Sequence, residues 1–333
     1  MKKQKQELKL LYGQLREDIH NKSLMTRIRK QKGIHVKRSS DAYYIIKRED
    51  PHAGIFSYIL TFLSHLKYAE EKGYIPFIDM MNFKNAYLYP DEIGKKNAWE
   101  FYFEQPVLEV TLEQAYGSSQ AMLSKGEFKS GYKPSEEFLE NKWAVDSREW
   151  QRLFHKYIRL KPDVKERMEN RYKEEFAFIH RGGAECLGVL CRGTDYFHFT
   201  ESQSVKFDRL EIVINRIQKL RKAYGIDMIF LATEDERILE LFIHTFRDSL
   251  IYNRRENRLS GQEKVLNSVA WQNNFVNLQE KGFDYILNLY VLSKCSCFIG
   301  ARTSASVFLP LTANFKYSFY YDLKTIEQER FDL

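Results

Sequence analysis

A charged turn follows a short apolar run in the second half of the chain. The run Cys186–Cys191 carries no charge, and Arg192, Gly193 and Asp195 come directly after it. Such a run predicts a buried parallel strand, and ligands of open α/β sheets bind outside the carboxyl ends of the strands. An arginine keeps its charge and offers a fork of donors to phosphate oxygens. The segment therefore predicts either a phosphate-binding arginine beside a carboxylate, or a surface Arg–Asp pair that caps a strand.

The next predicted strand also ends in polar residues. Met228–Ala232 leads into Thr233 and Asp235. Thr233 followed by acidic residues is typical of a helix N-cap, a role that needs no ligand. If residues 185–310 form one parallel sheet, this strand end lies near Arg192.

A third strand end carries several hydroxyl groups. Cys297–Gly300 is followed by an arginine and hydroxyl residues that suit an anion, namely Arg302, Thr303, Ser304 and Ser306. A helix that begins there would direct backbone N–H groups and hydroxyls at a phosphate, although Ser and Thr in this position also serve as ordinary N-caps. Combined with Arg192 in the same crevice, the pattern favours a diphosphate ligand.

Motifs of several other enzyme classes are missing from the sequence. It contains no Asp-x-Asp pair, no Walker A motif, no G-x-G-x-x-G after a strand and no G-x-S-x-G elbow. A diphosphate site built from arginine and backbone donors, with neither metal nor other cofactor, predicts a nucleotide-sugar transferase. In such an enzyme the positive groups stabilise the diphosphate leaving group.

The positive charge of the chain is concentrated at its start. The net charge is +7 over 333 residues, but residues 1–38 hold twelve lysines and arginines and three acidic residues, so the remainder is slightly negative. A near-neutral body argues against a nucleic-acid partner. Leu8, Leu11, Leu15 and Ile19 recur at helical spacing among the lysines. The arm therefore predicts either peripheral contact with an anionic membrane, or a helix whose leucines pack on the protein or on a second subunit.

The four cysteines are expected to be buried thiols. Cys186, Cys191, Cys295 and Cys297 lie in apolar segments and match no common zinc spacing. Reduced thiols, together with the lack of a secretory signal or of a membrane-spanning run, predict a cytoplasmic protein, with or without peripheral contact at the inner face of the membrane.

Alternation of strands and helices predicts an α/β protein of two Rossmann-like domains. In the first half, the β-rich run 42–46, a helix ending at Gly73 and the run 74–79 indicate a βαβ unit. His52 and Gly54 lie in its ligand-facing turn. The expected division is a basic helical arm (1–38), an acceptor domain (39–180) and a donor domain (181–333).

Three blocks of the sequence resemble the fucosyltransferase superfamily, which includes α1,6-fucosyltransferases, nodulation-factor fucosyltransferases and protein O-fucosyltransferases. Leu187–Tyr196 is similar to its H-x-R-R-G-D-Y signature, Phe230–Asp235 to its L-A-T-D-D strand end, and Leu292–Ser304 to its L-S-x-x-D-F-L-V…S-S segment. The blocks come in the family's order, and with a looser likeness upstream they cover residues 42–80 and 185–310.

The resemblance implies a GT-B fold, in which two Rossmann-like domains face a cleft, and an inverting, metal-independent reaction. GDP-fucose would be the donor, and a glycan or lipid-linked glycan the acceptor. Arg192 would grip the diphosphate, Ser304 and its neighbours would add phosphate contacts, and Asp235 would lie beside the nucleoside. The alternatives are the same fold with another nucleotide-sugar donor, or a degenerate relative that binds a glycan without catalysis.

The chain departs from the family pattern at three positions. Gly193 replaces the second arginine, Leu190 replaces the histidine, and Asn288 stands where α1,6-fucosyltransferases have an acidic residue. Asp195 and Glu201 are the candidates for the base that takes the proton of the acceptor hydroxyl, although Asp195 would equally serve to orient Arg192.

Overall fold

The computed structural model describes residues 2–129, 132, 148–177, 179, 185–193, 204–258, 277–301, 303–309, 312–313 and 315–321. The chain forms two compact units, the first made of Met1–Asp50 and Tyr58–Lys161, the second of Pro51–Ser57 and Pro162–Leu333. The arm, acceptor domain and donor domain expected from the sequence stay a prediction, and the main division of contacts falls after Lys161. The reason is that a helix beginning at Pro162 makes buried and exposed ion pairs with the second unit, as described below.

The first unit is built on a small parallel sheet. Its elements are α1 (Lys2–Lys32), β1 (Tyr43–Ile46), α2 (Ile55–Lys72), β2 (Ile75–Ile78), α3 (Leu112–Gly117), β3 (Met122–Leu123) and α4 (Arg148–Tyr157), with a 3₁₀ turn at Ala98–Phe101. The strands lie in the order β2-β1-β3 and are parallel. The predicted βαβ unit is thus confirmed. Gly73 ends α2 with φ +67°, a left-handed conformation that glycine adopts at little cost.

The carboxyl-terminal half of α1 belongs to the core of the first unit. Leu24, Met25 and Ile28 are buried in one cluster with residues of β1 and α3. Arg29 strengthens this docking, since its guanidinium donates to the carbonyl oxygens of Tyr116 and Ser118. This half of the helix therefore packs on the protein, which is one of the two alternatives that the sequence left open.

The second unit contains a five-stranded parallel sheet. Its elements are α5 (Pro162–Glu175), β4 (Cys186–Leu190), α6 (Ser204–Tyr224), β5 (Met228–Ala232), α7 (Glu236–Phe246), β6 (Leu250–Tyr252), α8 (Leu278–Lys294), β7 (Cys297–Ala301), α9 (Ser304–Phe308) and β8 (Tyr317–Tyr321). The strand order is β6-β5-β4-β7-β8, and every pair is parallel. The prediction of an α/β protein with parallel sheets is confirmed.

Both faces of this sheet are covered, which explains why its strands are apolar without alternation. Leu187 and Val189 of β4 point to the face covered by α6 and α7, where they share one core cluster. On the opposite face Phe176 packs edge-on against Phe230. All four cysteines are free and buried, as expected, and the sulfur atoms of Cys186 and Cys295 are 3.7 Å apart.

Candidate functional site

The order of the strands places a topological switch point at the carboxyl end of β4. From β4 the chain proceeds through β5 and β6 on one side, and then crosses to β7 and β8 on the other. Leu190 pairs with Ala232 of β5 and with Gly300 of β7, so the ends of the three strands are in register. Ligands of open α/β sheets bind outside strand ends at such a point. The convergence of three strand ends that the sequence predicted is confirmed.

Arg192 lies at this switch point and is held by an acidic residue from the neighbouring strand. Arg192 and Glu234 each follow a registered strand residue by two positions. The Nε of Arg192 donates to Oε1 of Glu234 over 3.1 Å, and the backbone N–H of Gly193 donates to the same oxygen over 2.9 Å. Both side chains are largely buried. One carboxylate therefore fixes the guanidinium and the backbone beside it.

Gly193 brings the backbone against the next strand end. A β-carbon built at position 193 would lie 2.4 Å from the β-carbon of Asp235. Real β-carbons essentially never approach so closely, and Asp235 is fully buried. A side chain at position 193 would therefore require Asp235 to shift.

Asp235 caps α7, and the prediction that Thr233 is the N-cap is wrong. The carboxylate of Asp235 accepts from the backbone N–H of Arg237 and forms an ion pair with its guanidinium at 2.6 Å. The hydroxyl of Thr233 instead accepts a hydrogen bond from the backbone N–H of Asp235. The helix begins two residues later than expected because aspartate is at least as strong an N-cap as threonine. Asp235 thus has a structural role whether or not a nucleoside lies beside it.

A second arginine reaches the same strand end from the segment that follows β6. Arg258 donates to the carbonyl oxygens of Thr233 and Asn253, and it pairs with the carboxylate of Glu256 at 3.1 Å. The amide nitrogen of Asn288 donates to that carboxylate over 2.9 Å. Asn288, the third departure from the family pattern, is thus joined to a carboxyl group that another part of the chain supplies.

Glu256 is an ionisable group in an unusual environment. Its side chain is only 12% exposed. Burial raises the pKa of Glu256 to about 8, although Arg258 and Asn288 act in the opposite direction. Neighbouring carboxylates of Asp284 and Glu234 also raise the pKa. A carboxyl group that stays protonated near neutral pH donates as well as accepts a hydrogen bond.

Hydroxyl groups at the end of β7 cap a short helix. The hydroxyl of Thr303 accepts from the N–H of Ser306, and the hydroxyl of Ser306 accepts from the N–H of Thr303. This reciprocal arrangement is a capping box, which is the structural alternative that the sequence left open. Ser304, partly exposed, is the first residue of the helix. A role of these three residues in phosphate binding stays a prediction.

The other predicted site residues lie outside the described residues or in the turn before α2. Asp195, Glu201 and Arg302 lie outside the described residues. His52, which is exposed, and Gly54 lie in the turn before α2, as expected, and the carbonyl of Gly54 accepts from the N–H of Ser57. Their assignment to an acceptor site stays a prediction.

Glu234, Glu256 and Arg258 were not among the residues predicted from the sequence. Glu234 lies in the block Phe230–Asp235, but the predicted contact with the donor was assigned to its neighbour Asp235. A signal was present for the other two, since a run of charged residues directly follows the apolar strand β6. These charged residues follow β6 just as polar residues follow β4, β5 and β7.

Two further features of the described residues concern metal binding and membrane spans. Among them, no three histidine, cysteine or acidic side chains come together as a metal-binding group. In the same part of the chain, each helix is too short or too polar to cross a bilayer.

Comparisons with known proteins found structural likenesses only. The chain matches no family model and no curated protein. Among solved structures, NodZ α-1,6-fucosyltransferase co-crystallised with GDP aligns with 82% of this chain and 93% of its own, at 15% identity and a TM-score of 0.48.

Two other solved structures align over similar lengths. The apo form of POFUT1 aligns with 86% of this chain and 99% of its own, at 10% identity and a TM-score of 0.44. A mutant of Arabidopsis thaliana FUT1 in complex with GDP aligns with 90% of this chain and 74% of its own, at 10% identity and a TM-score of 0.43. In each case the likeness is one of chain path at low sequence identity.

Proposed function

We propose that the protein is a glycosyltransferase that uses a nucleotide diphosphate sugar, with GDP-fucose as the donor. The observation that carries the proposal is the position of Arg192 at the switch point of the second unit's sheet, held by Glu234. This is the place where α/β sheets bind phosphorylated ligands. The three blocks of sequence that resemble fucosyltransferases support the choice of donor.

The chemistry assigned to Arg192 is electrostatic. When the acceptor hydroxyl attacks the anomeric carbon, the bond from that carbon to the diphosphate oxygen breaks, and negative charge develops on the leaving group. A fixed guanidinium stabilises that charge without reorganising. Glu234 fixes the guanidinium through Nε, and Gly193 allows the backbone to lie close beside it.

The other parts of the proposal rest on the family resemblance. The reaction inverts the anomeric centre without a metal ion, and the acceptor is a glycan or a lipid-linked glycan. Asp195 or Glu201 takes the proton of the acceptor hydroxyl. Phosphate contacts from Arg302 and Ser304, with Asp235 near the nucleoside and His52 and Gly54 on the acceptor side, complete the proposed site.

A donor screen tests the proposal directly. Thermal unfolding is measured with GDP-fucose, GDP-mannose and UDP-sugars, because a ligand that binds only the folded protein raises Tm. We expect GDP-fucose to give the largest rise, and release of GDP in the presence of acceptor glycans to follow. A larger rise with another donor would change the assigned sugar, and no rise with any donor would leave the non-catalytic alternative.

Matched variants locate the binding site. Arg192→Ala should abolish the Tm rise and sugar transfer. Lys316→Ala is the control, because Lys316 is an exposed cation that pairs with Glu185 just before β4, at the opposite edge of the same sheet. Normal turnover by the Arg192→Ala protein would end the proposal.

A further inference from the structure

Helix α1 has two apolar faces, of which one lies buried and the other is exposed. Its buried face includes Leu24 and Ile28, which pack in the core of the first unit, and Asn21, whose amide nitrogen donates to the carbonyl oxygen of Ser124. Tyr12, Leu15 and Ile19 are 71%, 59% and 62% exposed. Exposure of three large apolar side chains on one helix calls for a partner.

The two faces point in opposite directions. Each exposed residue precedes a buried one by nine positions: Tyr12 precedes Asn21, Leu15 precedes Leu24, and Ile19 precedes Ile28. Nine residues at about 100° each amount to two and a half turns of an α-helix. The exposed face is therefore turned about 180° from the docked face, and it cannot be covered by the surface on which the rest of α1 packs.

Charge is also divided between the two sides of the helix. The two acidic residues in its middle turn toward the first unit: Glu17 accepts from the N–H of Gly126 over 2.7 Å, and Asp18 pairs with Lys125 at 2.5 Å. Exposed basic residues flank the apolar face, among them Arg16 and Lys22. Over its length α1 contains ten basic and three acidic residues.

We propose that the face formed by Tyr12, Leu15 and Ile19 docks on the surface of a bilayer that contains anionic lipid. An apolar stripe flanked by lysine and arginine is the pattern of helices that lie in the membrane interface. Basic side chains are drawn to the anionic headgroups, while the apolar ones enter the boundary with the acyl chains. This inference goes beyond the proposed transferase and does not depend on it.

A second copy of the chain is the competing occupant, and charge disfavours it. Pairing two α1 helices through this face would bring their basic residues together, and like charges at close range destabilise such a contact. A nucleic acid would be attracted by the basic residues of α1. The three apolar side chains would add little to its affinity, because that affinity comes mainly from charged contacts with the phosphate backbone.

Vesicle binding by the full chain tests the proposal. Sedimentation with phosphatidylcholine vesicles is compared with and without about 30% phosphatidylserine. We expect binding only to the anionic vesicles, and its loss at about 0.5 M salt, where charges are screened. The double variant Leu15→Asp with Ile19→Asp should bind at least about tenfold more weakly.

The control variant is Leu108→Asp, because Leu108 is 60% exposed elsewhere in the first unit and should leave binding unchanged. Circular dichroism checks that the helix is intact in each variant. The pair Arg16→Glu with Lys22→Glu leaves the apolar residues in place and should also lose binding, so a folding defect at one site does not decide the outcome.

Three results would overturn the proposal. The first is a wild-type protein that does not bind anionic vesicles. The second is equal binding by the wild type and both α1 variants. The third is a double variant Leu15→Asp with Ile19→Asp that binds vesicles as the wild type does but has a different oligomeric mass in analytical ultracentrifugation. That result would assign the exposed face to self-association. Nucleotide binding enters none of these measurements, so failure here leaves the proposed function untouched.

Discussion

Gly193 and Asp235 lie so close together that a β-carbon on the glycine would be 2.4 Å from the β-carbon of the aspartate. The contact joins the residue after Arg192 to the N-cap of α7. It therefore couples the proposed diphosphate-binding arginine to the start of the next helix. Any residue other than glycine at position 193 would bring a β-carbon into this contact.

Replacing Gly193 by alanine should destabilise the protein and displace Arg192. Because Asp235 is buried and bonded to Arg237, it cannot move aside freely. We expect a loss of about 1–3 kcal/mol in the free energy of unfolding, measured by urea denaturation, together with weaker nucleotide binding. Gly13→Ala is the control, because nothing lies within 4 Å of its added β-carbon and alanine favours a helix by about 0.5–1 kcal/mol. Equal effects of the two changes would contradict the close contact.

Glu234 should act through Arg192 as a positioning residue. Glu234→Gln keeps an oxygen for the N–H of Gly193 but removes the charge that holds the guanidinium. We expect roughly tenfold weaker donor binding.

Arg192→Lys retains the positive charge but loses the forked donors of the guanidinium. It should lower kcat by about 100-fold or more, as when a transition-state donor is removed. Calorimetry and initial rates separate the two effects. Full activity of the lysine variant would show that a point charge suffices.

Glu256 should make stability fall as the pH rises through neutrality. Burial raises its pKa from 4.5 to about 8, so between these values the folded protein holds a proton that the unfolded chain has released. The free energy of unfolding then decreases with increasing pH, by about 1.4 kcal/mol per unit of pKa difference at most. Glu256→Gln removes this contribution, and its stability should decline less than that of the wild type between about pH 5 and 8.

The control for this titration is Glu280→Gln. Hydrogen bonds from Arg167 lower the pKa of Glu280, so this carboxylate contributes stability above its unfolded pKa and loses it as the pH falls. In urea denaturation Glu280→Gln should therefore change the pH dependence of stability only below about pH 4.5 and leave the slope between about pH 5 and 8 unchanged, where Glu256→Gln alone acts. Identical pH profiles for the wild type and Glu256→Gln would refute the prediction.

Two ion pairs between α5 and α8 should differ in their effect on stability. Arg171 and Asp284 are buried, 2.8 Å apart, and Asn253 donates to the same carboxylate. Asp284→Asn removes one of the two carboxylates that pair with Arg171, which keeps the other, Glu175, and should cost about 1–3 kcal/mol. Arg167 and Glu280 join the same helices at 2.5 Å but are exposed, so Glu280→Gln should cost about 0–1 kcal/mol at neutral pH. Chemical denaturation of the two variants checks the contrast, and similar losses would contradict it.

Local patterns in the sequence predicted most of the elements of the second unit, though not β8, and they predicted at which strand ends a site would lie. Uninterrupted apolar runs marked β4, β5 and β7, because strands covered on both faces have no polar side to alternate with. Polar residues directly after each run marked the strand ends, and parallel pairing brings such ends to one edge of a sheet. Gly73 marked the end of α2 for an equally local reason, the left-handed φ that glycine tolerates.

The contacts that give the site its geometry were decided by the tertiary structure. That Glu234 holds Arg192 depends on the register between β4 and β5, a relation between residues 42 positions apart. The carboxyl group joined to Asn288 comes from position 256, beyond the reach of any pattern around α8.

Helix α1 also shows how much a local sequence pattern can determine. The helical spacing of its apolar residues was evident in the sequence, but that spacing left open both membrane contact and packing on the protein or on a second subunit. Only the folded first unit covers Leu24 and Ile28 while leaving Leu15 and Ile19 exposed. A periodicity fixes which residues share a face of a helix, whereas the surface that meets each face is a property of the surrounding chain.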